Sequence, residues 1–165
     1  QKASLGFGMK VIGYDPAMDP EAPPAGIRPA ADIEAVFRQA DVVSLHLPST
    51  PETRNLVDKH LLCMMKPTAS FVNISRGDLV VEEDLIQALE EGWIAGAALD
   101  VFRTEPLPPD SPLLSPPGLH PAPRVLPAVE QAVLGSSRTA CQGVVEVLTG
   151  QPVTWPANHP LPVQE

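Results

Sequence analysis

Four strand-like runs in this sequence end in residues able to bind or move charge, and a fifth stretch of unusual composition comes after them. MKVIGYDP, residues 9–16, ends on Asp15. An acidic side chain at a strand end can accept both hydroxyls of an adenosine ribose, which favours NAD over NADP. An aspartate opening a turn before Pro16 is the plain alternative. DVVSLHLP ends on Pro48, with Ser49 and Thr50 behind it. TASFVNISRGDLV brings Asn73, Ser75 and Arg76 to one end. An arginine there can grip a carboxylate through two parallel hydrogen bonds; a surface arginine beside a turn at Gly77 fits the pattern equally well. GAALDVFRTEP carries Asp100 and Glu105 past its end, and the small residues at 95–98 imply close backbone approach. An ordinary acidic loop is the competing reading. The fifth stretch, LHPAPRVLPAVEQA, sets Pro121, Pro123 and Pro127 within seven residues, with Arg124 among them, and runs into a helical pattern.

These ends meet only if the runs lie side by side. Met9–Tyr14, Asp41–Leu47, Thr68–Ile74 and Trp93–Val101 are predicted strands, mostly continuous apolar runs. Between them Ala31–Ala40 places Ile33, Val36 and Phe37 at helical spacing, and Glu82–Glu91 does so with Leu85, Ile86 and Leu89 before Gly92. Thr50-Pro51 reads as a helix start with a hydroxyl cap, leading into short helical pieces to Met65. Ala128–Thr149 is a long helix closed by Gly150. Alternating strands and helices predict an α/β fold with a parallel sheet covered on both faces. The ligand crevice of such a sheet lies outside the carboxyl ends of its strands, where Asp15, Asn73, Arg76, Asp100 and Glu105 cluster.

Composition narrows the function. The 165 residues carry a formal net charge of −9, which disfavours a nucleic-acid partner. No run approaches the roughly 20 apolar residues of a membrane-spanning helix. Apolar residues make up 44% and aromatics 4%, so the core must rest on Val, Leu, Ile and Ala. Cys63 and Cys141 are too far apart in sequence for a disulfide framework or a metal motif, and the four histidines show no metal-site spacing. Both cysteines are expected on helices as small apolar residues, in a reducing, cytoplasmic compartment. Of the 21 prolines, four fall at 20–29 and nine at 106–127, so regular structure is expected between the clusters and after the second.

GMKVIGYDP, LHLPSTPETRNLV, MKPTASFVNISRGDLV and IAGAALDVFRTEPLPPDSPLL, in that order and separation, resemble the nucleotide-binding domain of the D-isomer-specific 2-hydroxyacid dehydrogenases. The resemblance covers Met9–Leu114. It implies a Rossmann-type doubly wound sheet, an NAD (NADH) cofactor, and a small 2-keto or 2-hydroxy acid substrate such as hydroxypyruvate or glyoxylate. It also implies a homodimer for full-length members. By the same resemblance Asp15 would bind the adenosine ribose, and Leu47, Pro48 and Thr53 would line the adenine side. Ile74 and Ser75 would offer backbone carbonyls to the nicotinamide end, and Asp100 would take its carboxamide. Arg76 would hold the substrate carboxylate and keto oxygen, and Glu105 would orient a proton-donating histidine.

The chain departs from that pattern in four places. The slot of the histidine holds Arg124, which is expected to pair with Glu105 and, because a guanidinium stays protonated, to be a poor proton donor. His120 stands four residues earlier, on the order of 13 Å away if extended. A GxGxxG phosphate loop, expected about one helix before GFGMKVIGYDP, is not found in the 165 residues. The expectation is therefore a sheet without its first, central strand, within a C-terminal piece of a longer protein: residues 1–150 a partial NAD-binding domain, 151–165 a tail. Val81 removes a helix cap worth about 1 kcal/mol, and Pro121 in the last strand is tolerable only at a sheet edge. Besides an impaired dehydrogenase, two alternatives stand: a non-catalytic NAD-binding or corepressor-like relative, and a truncated product with two unpaired strand edges and no independent function.

Overall fold

A computed structural model describes residues 6–19, 21–121, 130–152 and 154; for 130–137 only the backbone is described. Two compact units, Gln1–Pro123 and Arg124–Glu165, make up the chain. In the first, strands β1 (Val11–Gly13) and β2 (Ile27–Pro29) precede helix α1 (Ile33–Gln39) and strand β3 (Val42–Leu45). Next come helix α2 (Lys59–Leu62), strand β4 (Ser70–Asn73), helix α3 (Glu82–Glu90), strand β5 (Gly96–Leu99) and strand β6 (Leu119–Pro121), with 3-10 turns at Gly77–Leu79 and Pro112–Leu114. All described strand pairs are parallel, but they form two sheets: β1 with β2, and β3-β4-β5-β6. The break falls between β1 and β3, where the expected central strand would pair with both.

Burial explains the order of the larger sheet. Val43, Leu45, Phe71, Ala97 and Leu99 point to one face and join Phe37, Leu61, Leu62, Leu79, Leu85 and Leu113 in a single apolar cluster. The other face is open at β3, where Val42 is 47% exposed and Ser44 is exposed, so this strand alternates rather than being buried on both sides. Gly96 lies so close to the Gly118 carbonyl that a Cβ would sit 2.8 Å from it, which accounts for the small residues of β5. Pro121 falls on the edge strand β6, at no cost to the ladder. Strand β2 lies at the end of the first proline cluster, where no regular structure is predicted; Pro29 is tolerated because β2 has only one neighbour.

Local signals set the helices. Asp32 caps α1 by accepting the Ala35 N–H at 2.6 Å, and Asp58 caps α2 through the Leu61 N–H at 3.2 Å. Val81 stands at the cap of α3 without a side-chain bond, as expected. The acidic first turn, Glu82 to Asp84, favours the positive end of that helix instead. The helix start predicted at Thr50-Pro51 is a single turn. Thr53 and Arg54 donate to the Thr50 carbonyl, then Asn55 turns left-handed at φ 54°. Here Thr53 Oγ1 accepts the Thr50 N–H at 2.8 Å, the reverse of the predicted cap.

The second unit holds helix α4 (Glu130–Leu148), ended by Gly150 at φ 68°. Near its end Glu146, 8% exposed, accepts the Thr154 N–H at 2.8 Å and the Thr154 hydroxyl at 2.6 Å. Cys63 and Cys141 are free and exposed rather than packed, because Cys63 closes α2 at the surface and Cys141 lies on an outward position of α4.

Candidate active site

Parallel strands deliver their last residues to one edge, and loops there must satisfy the backbone groups the ladder leaves behind. Asn73, last in β4 and 1% exposed, does this for three neighbours. Its Oδ1 accepts the Ser75 N–H at 3.0 Å, its Nδ2 donates to the Arg76 carbonyl at 2.8 Å, and its own carbonyl accepts the Asp100 N–H at 3.0 Å. The Ser75 hydroxyl crosses to the Leu47 carbonyl, tying the β4 loop to the β3 loop. Thr53 Oγ1 donates to the Pro48 carbonyl at 2.8 Å and so folds the next turn back onto β3. Close by, the Thr50 hydroxyl and a backbone N–H hold the Glu52 carboxyl below its ordinary value.

The third loop is held by interlock. Gly77 lies flush against the backbone of Phe102 and Arg103; a Cβ there would overlap the Phe102 carbonyl. Glu105 turns back so that Oε1 accepts the Phe102 N–H at 3.0 Å. Arg103 donates its N–H to Glu82 at 2.8 Å and its guanidinium to Asn55 Oδ1 and the Val80 carbonyl. Asp78 accepts the Ser49 hydroxyl at 2.6 Å and pairs with Arg54 at 3.4 Å. The loops after β3, β4 and β5 are thus one bonded assembly.

That assembly contains Leu47, Pro48, Thr53, Ser75, Arg76, Asp100 and Glu105. Leu47 packs on the core, while Ile74 is half exposed beside them. Arg76 is exposed, and its Nη1 donates to the Ser75 carbonyl at 2.7 Å, leaving the other lone pair of that oxygen unspent. Asp15 stands at the end of β1, in the other sheet, with no hydrogen bond to the assembly among the described residues. One of its oxygens accepts the Ala17 N–H at 2.8 Å, so it does open a turn, and its second oxygen has no partner among the described residues. His120 sits inside β6 opposite Ala98. Arg124 lies outside the described residues. Sequence reasoning places Asn73 at a strand end without giving it a task, and it passes over Asp78 and Arg103. Only a polar residue closing an apolar strand signals the first; nothing local signals the others.

The chain can hold an anion at Arg76 and offers carboxylates at Asp15, Asp100 and Glu105. Among the described residues no group of histidine, cysteine or carboxylate side chains could hold a metal ion, and no helix is long and apolar enough to cross a membrane.

Residues 1–125 match the family model described as D-isomer specific 2-hydroxyacid dehydrogenase, NAD binding domain. A D-3-phosphoglycerate dehydrogenase of Methanocaldococcus jannaschii is 37% identical over 165 residues, 99% of this chain and 31% of that protein. A glyoxylate reductase of Thermofilum pendens is 42% identical over 120 residues, 73% of this chain and 35% of that protein. The D-mandelate dehydrogenase of Rhodotorula graminis superposes with a TM-score of 0.82 at 27% identity, over 96% of this chain and 46% of that one. The D-lactate dehydrogenase of Lactobacillus jensenii, solved with NAD+, gives 0.78 at 26% identity, over 94% and 50%. The fold is therefore the Rossmann-type α/β fold. The chain spans about a third of the curated relatives' length and about half of the solved ones.

Proposed function

The chain belongs to the D-isomer specific 2-hydroxyacid dehydrogenases through their NAD-binding domain, and from that premise we propose that it serves an NAD-dependent oxidoreductase acting on the CH–OH group of 2-hydroxy acids. The substrate class is a small 2-keto acid, with hydroxypyruvate and glyoxylate as the first to try; the working form is a homodimer in a reducing, cytoplasmic compartment. Residues 1–150 form the cofactor domain and 151–165 a tail. The observation that carries this reading is the bonded assembly of the β3, β4 and β5 loops, which holds Arg76, Asp100 and Glu105 at one strand edge.

The residues present fit both ends of the cofactor. Asp15 keeps one carboxylate oxygen for the ribose hydroxyls, and Leu47, Pro48 and Thr53 offer a wall for adenine. The Ile74 and Ser75 carbonyls and Asp100 would accept from the nicotinamide carboxamide. Bound NADH supplies hydride. Arg76 holds the substrate carboxylate and polarises the keto oxygen, and Glu105 keeps one oxygen for a cationic neighbour. An NADH titration of this chain, monitored by nicotinamide fluorescence, tests the reading. Dissociation constants of about 1–100 μM support it, and no binding up to about 1 mM overturns it. A second reading, a non-catalytic binder, rests on the family resemblance, which puts Arg124 in the slot of the proton donor.

A further inference from the structure

Asn73 is a polar side chain in an apolar layer. In register it lies between Leu45 and Leu99, both buried, and is itself 1% exposed. Burying an amide in such a place is unfavourable unless its polar atoms are bonded. Both are, and neither bond serves the sheet. Oδ1 and Nδ2 reach forward two and three residues to the Ser75 N–H and the Arg76 carbonyl. A planar amide with both ends engaged fixes the backbone from residue 74 to residue 76, and with it the point and direction from which the Arg76 side chain leaves. The Asn73 carbonyl meanwhile takes the Asp100 N–H. Three candidate site residues on two loops thus take their positions from one side chain and its own backbone.

We propose that Asn73 is a positioning residue for the anion-binding end of this site. It holds Arg76, and through the backbone Ser75 and Asp100, in the geometry that meets a 2-keto acid carboxylate. The proposal rests on the function argued above for Arg76. A leucine at 73 would suit the core better; the amide is there for the loop. Small displacements of a charged clamp weaken bidentate contacts steeply, because both hydrogen bonds must align together.

The test separates loop geometry from general stability. Asn73→Asp keeps the size and the acceptor for Ser75 but removes the donor to the Arg76 carbonyl. Oxamate, an isostere of a 2-keto acid anion, probes the Arg76 end, and ADP-ribose probes the adenosine end. Oxamate affinity is expected to fall at least about tenfold while ADP-ribose affinity stays within about twofold. Equal loss of both, or loss of neither, overturns the proposal. A measurement on the wild type decides the matter if the variant does not fold: the Ser75 amide, bonded among the described residues only to Asn73 Oδ1, must resist hydrogen exchange. Exchange at the open-chain rate overturns the proposal. A wild type that binds neither NADH nor oxamate refutes the functional reading separately, and the Ser75 amide still shows whether Asn73 holds the loop.

Discussion

Gly77→Ala puts one methyl group where the structure has no room for it. Gly77 does not use the left-handed region, so alanine meets no backbone strain there, and the effect is steric alone. Two terms oppose each other. Restricting the unfolded chain stabilises by about 0.4–1 kcal/mol. The new Cβ overlaps the Phe102 carbonyl carbon and oxygen and the Arg103 nitrogen, all backbone atoms that cannot rotate away. Overpacking of this kind costs about 1–3 kcal/mol. The separation it forces also strains the Glu105 bond to the Phe102 N–H and the long Val80 N–H bond to the Gly77 carbonyl, each worth about 1 kcal/mol. The expected net loss is about 2–3 kcal/mol, which lowers the thermal midpoint by roughly 5–10 °C in a chain of this size. Gly143→Ala is the control. Nothing lies within 4 Å of a Cβ at that position inside α4, so the same substitution should stabilise by about 0.5–1 kcal/mol. Circular dichroism on heating measures both. A Gly77→Ala midpoint at or above the parent's refutes the interlock of the β4 and β5 loops.

Val81→Thr gives α3 the hydroxyl cap it lacks at nearly constant volume, and urea unfolding should show a gain of about 0.5–1 kcal/mol; an unchanged midpoint means the terminal N–H groups are already satisfied. Arg103→Ala removes the guanidinium bonds to Asn55 and Val80 and should cost about 1 kcal/mol by the same assay. Arg103→Lys should recover less than half of that, since an ammonium lacks the fork; full recovery would reduce the interaction to charge alone. Hydrogen bonds from the Thr154 hydroxyl first, then its N–H and Gln142, hold the Glu146 carboxyl below its ordinary 4.5. A depressed carboxylate contributes stability that is full above the unfolded value and is lost as pH falls through the lower folded value. The Thr154 amide resonance should therefore stay constant from pH 7 to about 4.5 and shift only below that; a transition above 4.5 contradicts the hydrogen-bonded carboxylate.

The parts of this fold legible in the sequence are those fixed by local rules. Gly92 marks a helix end by local chemistry, whereas the caps at Asp32 and Asp58 emerge only in the structure. Phe37, Leu85 and Leu89 reveal their buried faces by spacing. Strand ends are legible because apolar runs stop at Asp15, Pro48, Asn73 and Asp100, and the larger parallel sheet gathers the last three on one edge. Strand β2 is hidden, since three residues with a proline carry no periodicity and pair only because β1 lies alongside. The turn at 51–55 is misleading because Thr50-Pro51 has the signature of a helix start, while the chain's path beyond it is decided by Asn55 and its bonds to Asp78 and Arg103. Those partners lie more than twenty residues away in sequence. The same distance hides Arg103, whose role exists only once three loops have met.

What these loops have in common bears on the proton. Reduction of a keto acid needs a grip on the carboxylate, a hydride and a proton. Arg76 is proposed for the first, and the family resemblance assigns the third to position 124. A guanidinium, which stays protonated at neutral pH, polarises a carbonyl but does not surrender a proton to it. Among the described residues, Glu105 is positioned by its own loop. The loop is set by Gly77 against Phe102, by Arg103 against Asn55 and Val80, and by the Glu105 bond to its own loop, all within residues 55–105. By the family resemblance, a histidine at 124 restores the proton donor that the proposed reaction needs. Arg124→His should therefore raise NADH-dependent reduction of glyoxylate or hydroxypyruvate by about 100-fold or more, the usual worth of a positioned general acid. The gain should be lost again in a Glu105→Gln background. Cofactor binding without any gain on Arg124→His would mean that the site has turned from catalysis to binding, with Arg76 and Glu105 kept for the ligand rather than for the reaction.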